Sequence, residues 1–536
     1  MPVTITAYDG VGVIGGNKIL LEADGTALWL DFGINFRDRG LYFEEFLKPR
    51  PAFGLGDLLE MGLLPPLRGI YRRDLENPEW RLWDYYRSHP WYRELGVEGI
   101  LLSHAHVDHS GYISFLAAEI PVYSGLMTAV IAKAMQDTSP SDLEREICYL
   151  NPREIKEGLL ASGDWRKVCY QQRAFHILDR QEFAVDLQSF WGRACSSRGL
   201  AGQPLRGVSA GGDTPGEGMG VGNLKVRFFP VDHSIPGAGA FALETQEGYV
   251  VYTGDLRWHG AGRAATRSFV EEASRLRPLV LICEGTHPDA RAPVTEEEVY
   301  FNSRRAVAGA RGLVVADFGP RNVERLLIFH RIARETGRRL GITARDAYLL
   351  EAMHAADPAV PDPLADDAFF LYTEARLNRP GWEKDLLERY RGKALTASQV
   401  RARPEESILC FSFFDLHELI DIRPAGGIYI YSSSEAFNEE MHIDLDRLRN
   451  WVKHFNLRLV GEPGDRDGKG REAGFHASGH IHGPGLIEMV RAIRPQYLLP
   501  VHTEDTEFFV QNFPGFTSLV LLERGRPLTL PFRPAA

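Results

Sequence analysis

Gly99-Ile100-Leu101-Leu102 followed by His104-Ala105-His106-Val107-Asp108-His109 and then Ser110-Gly111 decides how this chain reads. The apolar run predicts a buried strand, and a helix-like run resumes at Tyr112. Between them, three imidazoles and a carboxylate share one short loop. Positions 104, 106 and 109 can converge only if that loop curls at the strand end. Nitrogen and oxygen donors packed in this way suit zinc or manganese, which accept imidazole and carboxylate ligands. With 17 histidines in 536 residues, a surface loop enriched in histidine by chance is the weaker account.

Working outward, four later segments carry the same residue types. Phe229-Pro230-Val231-Asp232-His233-Ser234-Ile235-Pro236-Gly237 comes first, then Tyr252-Thr253-Gly254-Asp255. Near the C-terminus come His476-Ala477-Ser478-Gly479-His480 and Pro500-Val501-His502-Thr503-Glu504. The first loop resembles the HxHxDH signature of the metallo-β-lactamase superfamily, and the next two segments resemble its later metal-binding segments, in the same order. The last two are similar to the SGH and PVH segments of the ribonuclease J branch of the β-CASP nucleases. The opening glycine-rich stretch Gly10 to Asn17 and Leu30-Asp31-Phe32-Gly33 also resemble that branch, so the likeness spans nearly the whole chain in pieces.

The resemblance implies an α/β fold, a metallo-β-lactamase αββα sandwich interrupted by an inserted β-CASP α/β domain. The expected boundaries are 1–295 and 457–536 for the sandwich and 296–456 for the insert. It implies two divalent ions, zinc in the first place with manganese as the alternative. His104, His106 and His233 would hold one ion, Asp108, His109 and His502 the other, and Asp255 would bridge them. It gives His480 the task of stabilising phosphate oxygens or protonating the leaving group. Ser478 and Gly479 would offer a hydroxyl and a backbone N–H to a phosphate, with His482 a less secure contact beside them. Glu284 matches the acidic position that opens the β-CASP part. It is expected to hydrogen-bond a metal-site histidine and fix its tautomer, with Asp31 in a similar supporting place. Ribonuclease J proteins usually carry a further C-terminal domain; here about thirty residues follow His502, which leaves monomer and homodimer both open.

Composition sets bounds on this picture. A chain of 536 residues suggests more than one domain. No apolar run is long enough to span a bilayer, and the opening residues lack a basic region followed by an apolar core. The five cysteines, Cys148, Cys169, Cys195, Cys283 and Cys410, are widely spaced and contain no CxxC pair. They are expected as buried free thiols in a reducing cytoplasm. The net charge of −11 does not recommend a nucleic-acid binder, yet local patches decide binding. One stretch departs from the mean: Arg321, Arg325, Arg331, Arg334, Arg338, Arg339 and Arg345 face only Glu324 and Glu335. It is either a phosphate-binding surface or the solvated face of an amphipathic helix. Arg321 and Asn322, at a predicted strand-to-helix junction, are candidate contacts for a nucleic-acid backbone. Gly10 to Gly16 lacks the GKS/T of a nucleotide-binding loop.

Along the chain, strands are expected at 3–7, 19–22, 27–31, 224–230, 239–244 and 249–253, with Asp24-Gly25 as a hairpin turn. Helix is expected from Ile113 to about Lys133 and over most of Ser141 to Gln188, and a loop or hairpin over Gly199 to Gly222. The aromatic stretch Phe36 to Trp91 reads as an insertion near the site mouth, core in the first place and a base-stacking platform in the second. Strand and helix then alternate from Thr295, through Gly312 to Asp317, Val323 to Thr336, Arg338 to Thr343, Ser407 to Ser412 and Gly427 to Tyr431. Ser432-Ser433-Ser434 is a candidate phosphate-binding or capping turn.

The leading expectation is a cytoplasmic, dinuclear-metal ribonuclease acting on single-stranded RNA, 5′-to-3′ exonuclease first and endonuclease second. A DNA nuclease on the same scaffold, a small-molecule metallo-hydrolase and a catalytically silent RNA-binding subunit are the rivals.

Overall fold

The computed structural model describes residues 2–164, 166–194, 198–207, 218–288, 293–319, 321–433, 439–464, 472–515 and 518–531. Cys195, Pro320 and Ser434 therefore lie outside the described residues, as do parts of the runs 199–222 and 461–474.

Two sheets pack face to face. The first has eight strands, in the order Arg206–Gly207, Phe175–Ile177, Val122–Ser124, Gly99–Leu101, Thr26–Phe32, Lys18–Ala23, Val3–Asp9, Leu528–Leu530. The second has seven: Met219–Val221, Leu224–Pro230, Gly239–Thr245, Gly248–Tyr252, Val280–Glu284, Tyr497–Val501, Ser518–Leu519. Alternation of side chains along each strand makes the shared core. Val3, Ile5, Ala7, Leu28 and Leu30 meet Phe241, Leu243, Val250, Tyr252 and Ile282 between the sheets. At the hairpin tip, Asp24 and Gly25 both take positive φ, 51° and 78°, the pairing that a two-residue turn needs to follow the strand twist. On the outer face of the second sheet, Phe269 and Ala273 of the helix Arg263–Leu276 pack with Leu486, Met489 and Val490 of the helix Gly483–Ile493. The outer face of the first carries the helix Leu126–Asp137 and the segment 51–86, whose Leu58, Leu59, Tyr71, Trp83 and Tyr86 are buried.

Residues 313–460 supply a third sheet, all parallel, in the order Ala394–Thr396, Phe369–Thr373, Arg339–Ile342, Ser407–Cys410, Leu313–Asp317, Gly427–Tyr431, Leu457–Val460. Its central strands are apolar on both faces, as a parallel sheet covered by helices requires. Leu313 and Val315 face one helical layer with Leu445, Leu448 and Val452. Val314 and Ala316 face another with Phe329 and Leu350. The helix Glu296–Ala308 leads into this unit, capped by Thr295 Oγ1 accepting from Glu298 N at 3.1 Å. The whole is an αββα sandwich carrying an inserted α/β domain.

Several local expectations are corrected. Ile113 to Lys133 is not one helix: a 3-10 turn Gly111–Phe115 ends before Pro121, the strand Val122–Ser124 follows, and helix runs only over Leu126–Asp137. Pro121 and the β-branched Val122 break the apparent period. Ser141 to Gln188 is mostly short strands. Arg153–Lys156 and Leu159–Ser162 turn at Glu157-Gly158, both with positive φ, and the one α-helix is Val185–Trp191. Cys148, Cys283 and Cys410 are buried free thiols, but Cys169 is exposed.

The arginine-rich stretch divides: Arg331, Arg334 and Arg345 are exposed, in keeping with a solvated helix face, while Arg325 and Arg338 turn inward. Arg325 is fully buried: its guanidinium donates to Glu296 Oε1 and Oε2 at 3.0 and 2.8 Å and to the carbonyls of Ser432 and Phe475. Arg338 donates to the carbonyls of Gly312, Ser407 and Ala310. Arg331 pairs with Glu335 at 2.9 Å on the surface. Ser432 serves as a ligand for Arg325. Two of these cations are thus internal ties of the inserted domain, because a planar fork of donors can satisfy several carbonyls at once.

Two predictions follow from these buried groups. Arg325→Met leaves Glu296 with Arg257 alone and should destabilise the protein by about 3 kcal/mol in chemical denaturation. Burial pushes the Asp317 carboxyl from 3.8 up to about 7, although Tyr429 Oη donates to it at 2.6 Å. Its contribution is complete below pH 3.8 and is lost as pH rises through about 7, because the unfolded chain releases the proton first. Asp317→Asn should therefore gain thermal stability over the parent between pH 5 and 8; an unchanged difference across that window contradicts this.

Candidate metal centre

The loop after Gly99–Leu101 is clamped by glycine. A Cβ at Gly33 would lie 1.7 Å from Asp108 O, and Gly16 N donates to that same carbonyl at 3.0 Å. Ile34 N donates to Val107 O at 3.0 Å. The glycine-rich opening stretch is thus packing against the loop, and Gly10 O accepts from His502 N at 2.7 Å. His502 itself takes φ +52°, a conformation that costs energy in a non-glycine residue and is typical of sites held by their surroundings.

Strand ends bring the donors together. His104 Nε2 and His233 Nε2 each lie 3.1 Å from His106 Nδ1. Asp255 Oδ2 lies 3.1 Å from His109 Nε2, 3.6 Å from His502 Nε2, 3.7 Å from His104 Nε2 and 4.0 Å from His233 Nε2. Asp108 Oδ2 lies 3.3 Å from His502 Nε2 and 3.7 Å from His109 Nε2. Among the described residues three overlapping donor groups result, His104/His106/His233, Asp108/His109/Asp255/His502 and Asp255/Glu284/His480/His502, and Asp255 Oδ2 also faces the first group.

The outer partners fix the tautomers. Ser103 Oγ donates to Asp31 Oδ2 at 2.7 Å and so accepts from His104 Nδ1 at 3.0 Å. Asp31 Oδ2 accepts from His109 Nδ1 at 2.7 Å and from Tyr252 Oη at 2.6 Å. Gly479 O accepts from His233 Nδ1 at 2.6 Å. Thr286 Oγ1 donates to Glu284 Oε2 at 2.7 Å and accepts from His502 Nδ1 at 2.9 Å. Each of these four rings therefore carries a proton outward on Nδ1 and turns Nε2 inward, the orientation that metal-ligating histidines adopt. Asp31 belongs to the site, not to an ordinary turn.

Imidazole Nε2 atoms thus face carboxylate oxygens in a dry pocket. His109 Nε2 and Asp255 Oδ1 are buried with no hydrogen-bond partner. Burial and neighbouring rings hold His104 and His233 well below their usual range, and burial drives His106 down to about 4, so these rings are neutral. Against burial, the imidazoles of His109 and His502 hold Asp108 below the usual carboxylate range, and Asp255 lies well below it too. Neutral His104, His106 and His233 beside ionised Asp108 and Asp255 fit divalent cations. Against burial, the carboxylates of Asp255, Asp108 and Asp31 raise His109 well above its usual range, a place that a cation would take over from its second proton.

His480 stands apart. Its Nδ1 lies 2.9 Å from Glu284 Oε2 and 3.8 Å from Asp255 Oδ2, and those carboxylates raise it to about 9 despite burial. Ser478 Oγ accepts from His480 N at 3.1 Å, while Ser478 O accepts from Arg257 Nη1 and His259 Nε2, both at 3.0 Å. Gly479 contributes its carbonyl to His233. Its backbone must come close, since a Cβ there would meet Ser234 Oγ at 2.6 Å. His482 caps the helix Gly483–Ile493, its ring 6.1 Å from that of His259. Asn322 Oδ1 accepts from Arg325 N at 3.0 Å as a helix cap. Arg321 is half-buried and lies within electrostatic reach of His106 and Asp108.

Sequence reasoning missed Ser103, Thr286, Tyr252 and Arg257. Ser103 and Thr286 lie within or beside the quoted motifs, but nothing local marks Arg257. That side chain is fully buried and donates to Asp232, Glu296, Glu324 and Ser478, so it joins the sandwich to the inserted domain. Asp31→Asn, which weakens the orientation of His109, should lower divalent-metal affinity by about 10–100-fold, read as metal retained during dialysis against graded chelator. Retention equal to the parent would contradict it.

Among the described residues, no helix is long and apolar enough to cross a membrane. Residues 473–511 match a family described as RMMBL, the Zn-dependent metallo-hydrolase RNA specificity domain. The chain is 26% identical over 341 residues to ribonuclease J of Sinorhizobium meliloti, covering 60% of this chain and 54% of that protein. It is 25% identical over 507 residues to ribonuclease J of Mycolicibacterium smegmatis, covering 93% and 68%. The chain thus spans about half the length of the first of these relatives and about two thirds of the second. A crystal structure of a protein of unknown function from Enterococcus faecalis V583 superposes with a TM-score of 0.64 at 20% identity, covering 99% of this chain and 100% of that one. Fold, donor constellation and relatives point the same way: the chain is similar to ribonuclease J proteins over most of its length and carries a segment that matches a Zn-dependent metallo-hydrolase RNA specificity domain.

Proposed function

We propose that the protein is a metal-dependent ribonuclease that hydrolyses phosphodiester bonds in single-stranded RNA, acting as a 5′-to-3′ exonuclease with internal cleavage as a second mode. The observation that carries this is the pairing of the donor sets around Asp255 with an adjacent charged imidazole, His480, on Glu284. The relatives named ribonuclease J and the RNA specificity domain over 473–511, which spans Ser478 to His502, support RNA as substrate.

In this reading two divalent ions, zinc before manganese, would be held by His104, His106 and His233 and by Asp108, His109 and His502, with Asp255 as a ligand available to both. Bound there, such ions polarise a phosphoryl oxygen and lower the pKa of water to ~7. The protein's own share is orientation and proton transfer. Asp31, Ser103, Thr286 and Gly479 hold the imidazoles in one tautomer. Glu284 accepts from His480 Nδ1, keeping that ring charged, so that Nε2 hands a proton to the departing oxygen. Ser478, fastened through its carbonyl to Arg257 and His259, sets the height of His480. In the same reading the substrate path runs at the junction of a sandwich over 1–295 and 457–536 and an insert over 296–456.

The test is cleavage of matched RNA and DNA oligonucleotides labelled at either end, with added zinc or manganese and an Asp108→Ala/His109→Ala control. Stepwise 5′ release from RNA alone, lost in the control, is expected. Equal cutting of DNA moves the protein to DNA processing, and RNA binding without cleavage makes it a silent subunit. His480→Gln should lower kcat by about 10²–10⁴-fold with metal content unchanged. An unaltered kcat would remove His480 from the proton-transfer role.

A further inference from the structure

The segment Phe475 to His480 carries the SGH residues, yet it lies in neither a helix nor a strand. Two buried guanidiniums, one from each domain, hold it by its carbonyls. Phe475 O accepts from Arg325 Nη1 at 3.1 Å and from Ser432 Oγ at 2.5 Å. Further along, Ser478 O accepts from Arg257 Nη1 at 3.0 Å. The two grips meet at one carboxylate. Glu296, the first residue of the helix Glu296–Ala308, accepts on Oε1 from Arg257 Nη1 at 3.1 Å and from Arg325 Nη2 at 3.0 Å. Its Oε2 accepts from Arg325 Nη2 and Nε at 2.8 and 3.2 Å. Glu296 is 5% exposed and both arginines are fully buried. The held segment in turn supports two parts of the site. Ser478 Oγ accepts from His480 N at 3.1 Å, and Gly479 O accepts from His233 Nδ1 at 2.6 Å.

Buried guanidiniums that share one short segment need an anion between them, because neither water nor salt screens them. Arg257 has two further carboxylates, Asp232 and Glu324, but among the described residues Arg325 pairs with Glu296 alone. A carboxylate can accept several donors at once, and a planar fork carries its orientation from one partner to the next. Without the charge of Glu296, Arg257 is drawn toward Asp232 and Glu324 and away from Ser478, while Arg325 is left on carbonyls and a hydroxyl. We propose that Glu296 is a positioning residue for the metal centre. By binding Arg257 and Arg325 together it fixes both ends of the segment 475–480, and so places His480 and the carbonyl that orients His233. Glu296 itself belongs to none of the donor groups. The part played through His480 rests on the ribonuclease reading above; the part played through His233 needs only the metal centre.

The test uses the full-length protein with Glu296→Gln, which keeps the shape and removes the charge, alone and combined with His480→Gln. Arg325→Lys is a second variant, which keeps a cation beside Glu296 but loses the fork that reaches Phe475. Asp137→Asn is the control, a buried carboxylate that accepts from Lys133, Tyr149 and Tyr348 elsewhere between the domains. Cleavage of a single-stranded RNA oligonucleotide at saturating metal is read beside the metal retained during dialysis against graded chelator. Glu296→Gln should lower kcat by about 10–100-fold with little change in KM, the effect of a misplaced proton donor. It should also weaken metal retention by about tenfold. Arg325→Lys should show both losses in smaller measure. On the His480→Gln background, Glu296→Gln should take little more from kcat while still weakening retention. Asp137→Asn should lower stability and move neither readout. Parental kcat and retention in Glu296→Gln, or in Arg325→Lys where the glutamine variant does not fold, would overturn the proposal. The same losses in Asp137→Asn, or a full further loss of kcat on the His480→Gln background, would do so too. A parent that holds metal but cleaves no RNA would overturn the ribonuclease reading alone, and retention in Glu296→Gln would still decide for or against Glu296.

Discussion

Everything at the centre of this molecule depends on one carboxylate. Asp255 is 2% exposed, one of its oxygens has no hydrogen-bond partner, and the other faces the Nε2 atoms of His104, His109, His233 and His502 across 3.1 to 4.0 Å, with His480 Nδ1 at 3.8 Å. Those Nε2 atoms are turned toward it, because the protons on Nδ1 of the same rings are held outward by Asp31, Ser103, Gly479 and Thr286. Electron-rich atoms packed in this manner repel one another, and only positive charge makes them a stable group. The outer partners come from both sheets, from the SGH loop and from the opening of the insert, so the fold exists in large part to keep these rings turned one way.

The donors themselves were legible in the sequence because each lies immediately after an apolar strand and in a recognisable order. His104, His106, Asp108 and His109 share a single loop, while Asp255 and His502 follow strands that end in Tyr252 and Val501. Local spacing could say little about what those residues bond to. Asp31 reads like a turn residue, and Arg257 has no motif, since its partners lie 25 to 221 positions away. The strand Val122–Ser124 was hidden between a 3-10 turn and a helix whose apolar residues continue one period. The arginines of 321–345 followed the solvated-face expectation only in part. A run of charge in one dimension does not reveal that Arg325 and Arg338 turn inward to carbonyls while Arg331 turns outward.

The sandwich and the insert are also joined by charge. Arg257 holds Glu296 and Glu324 of the insert with one hand and the carbonyl of Ser478 with the other. On the opposite side, Asp137 of the helix Leu126–Asp137 accepts from Lys133 at 2.6 Å, from Tyr149 at 2.7 Å and from Tyr348 of the insert at 2.8 Å. Both clusters are buried, so parting the domains would break the Arg257 pairs to Glu296 and Glu324 and the Tyr348–Asp137 hydrogen bond, although Asp137 would keep Lys133, Glu296 would keep Arg325 and Arg257 would keep Asp232.

Those ties bear on how a polymer could reach the metal pocket. In the ribonuclease reading, domains tied on two flanks resist swinging apart to admit the middle of a long chain sideways, which would put internal cleavage behind entry from an end. The gap between them is then set when the protein folds, and a flexible strand must find it by sliding between the walls. Selectivity for slender, unpaired polymers over a stiff duplex would then arise from the tie between Arg257 and Ser478 before any base or sugar is inspected.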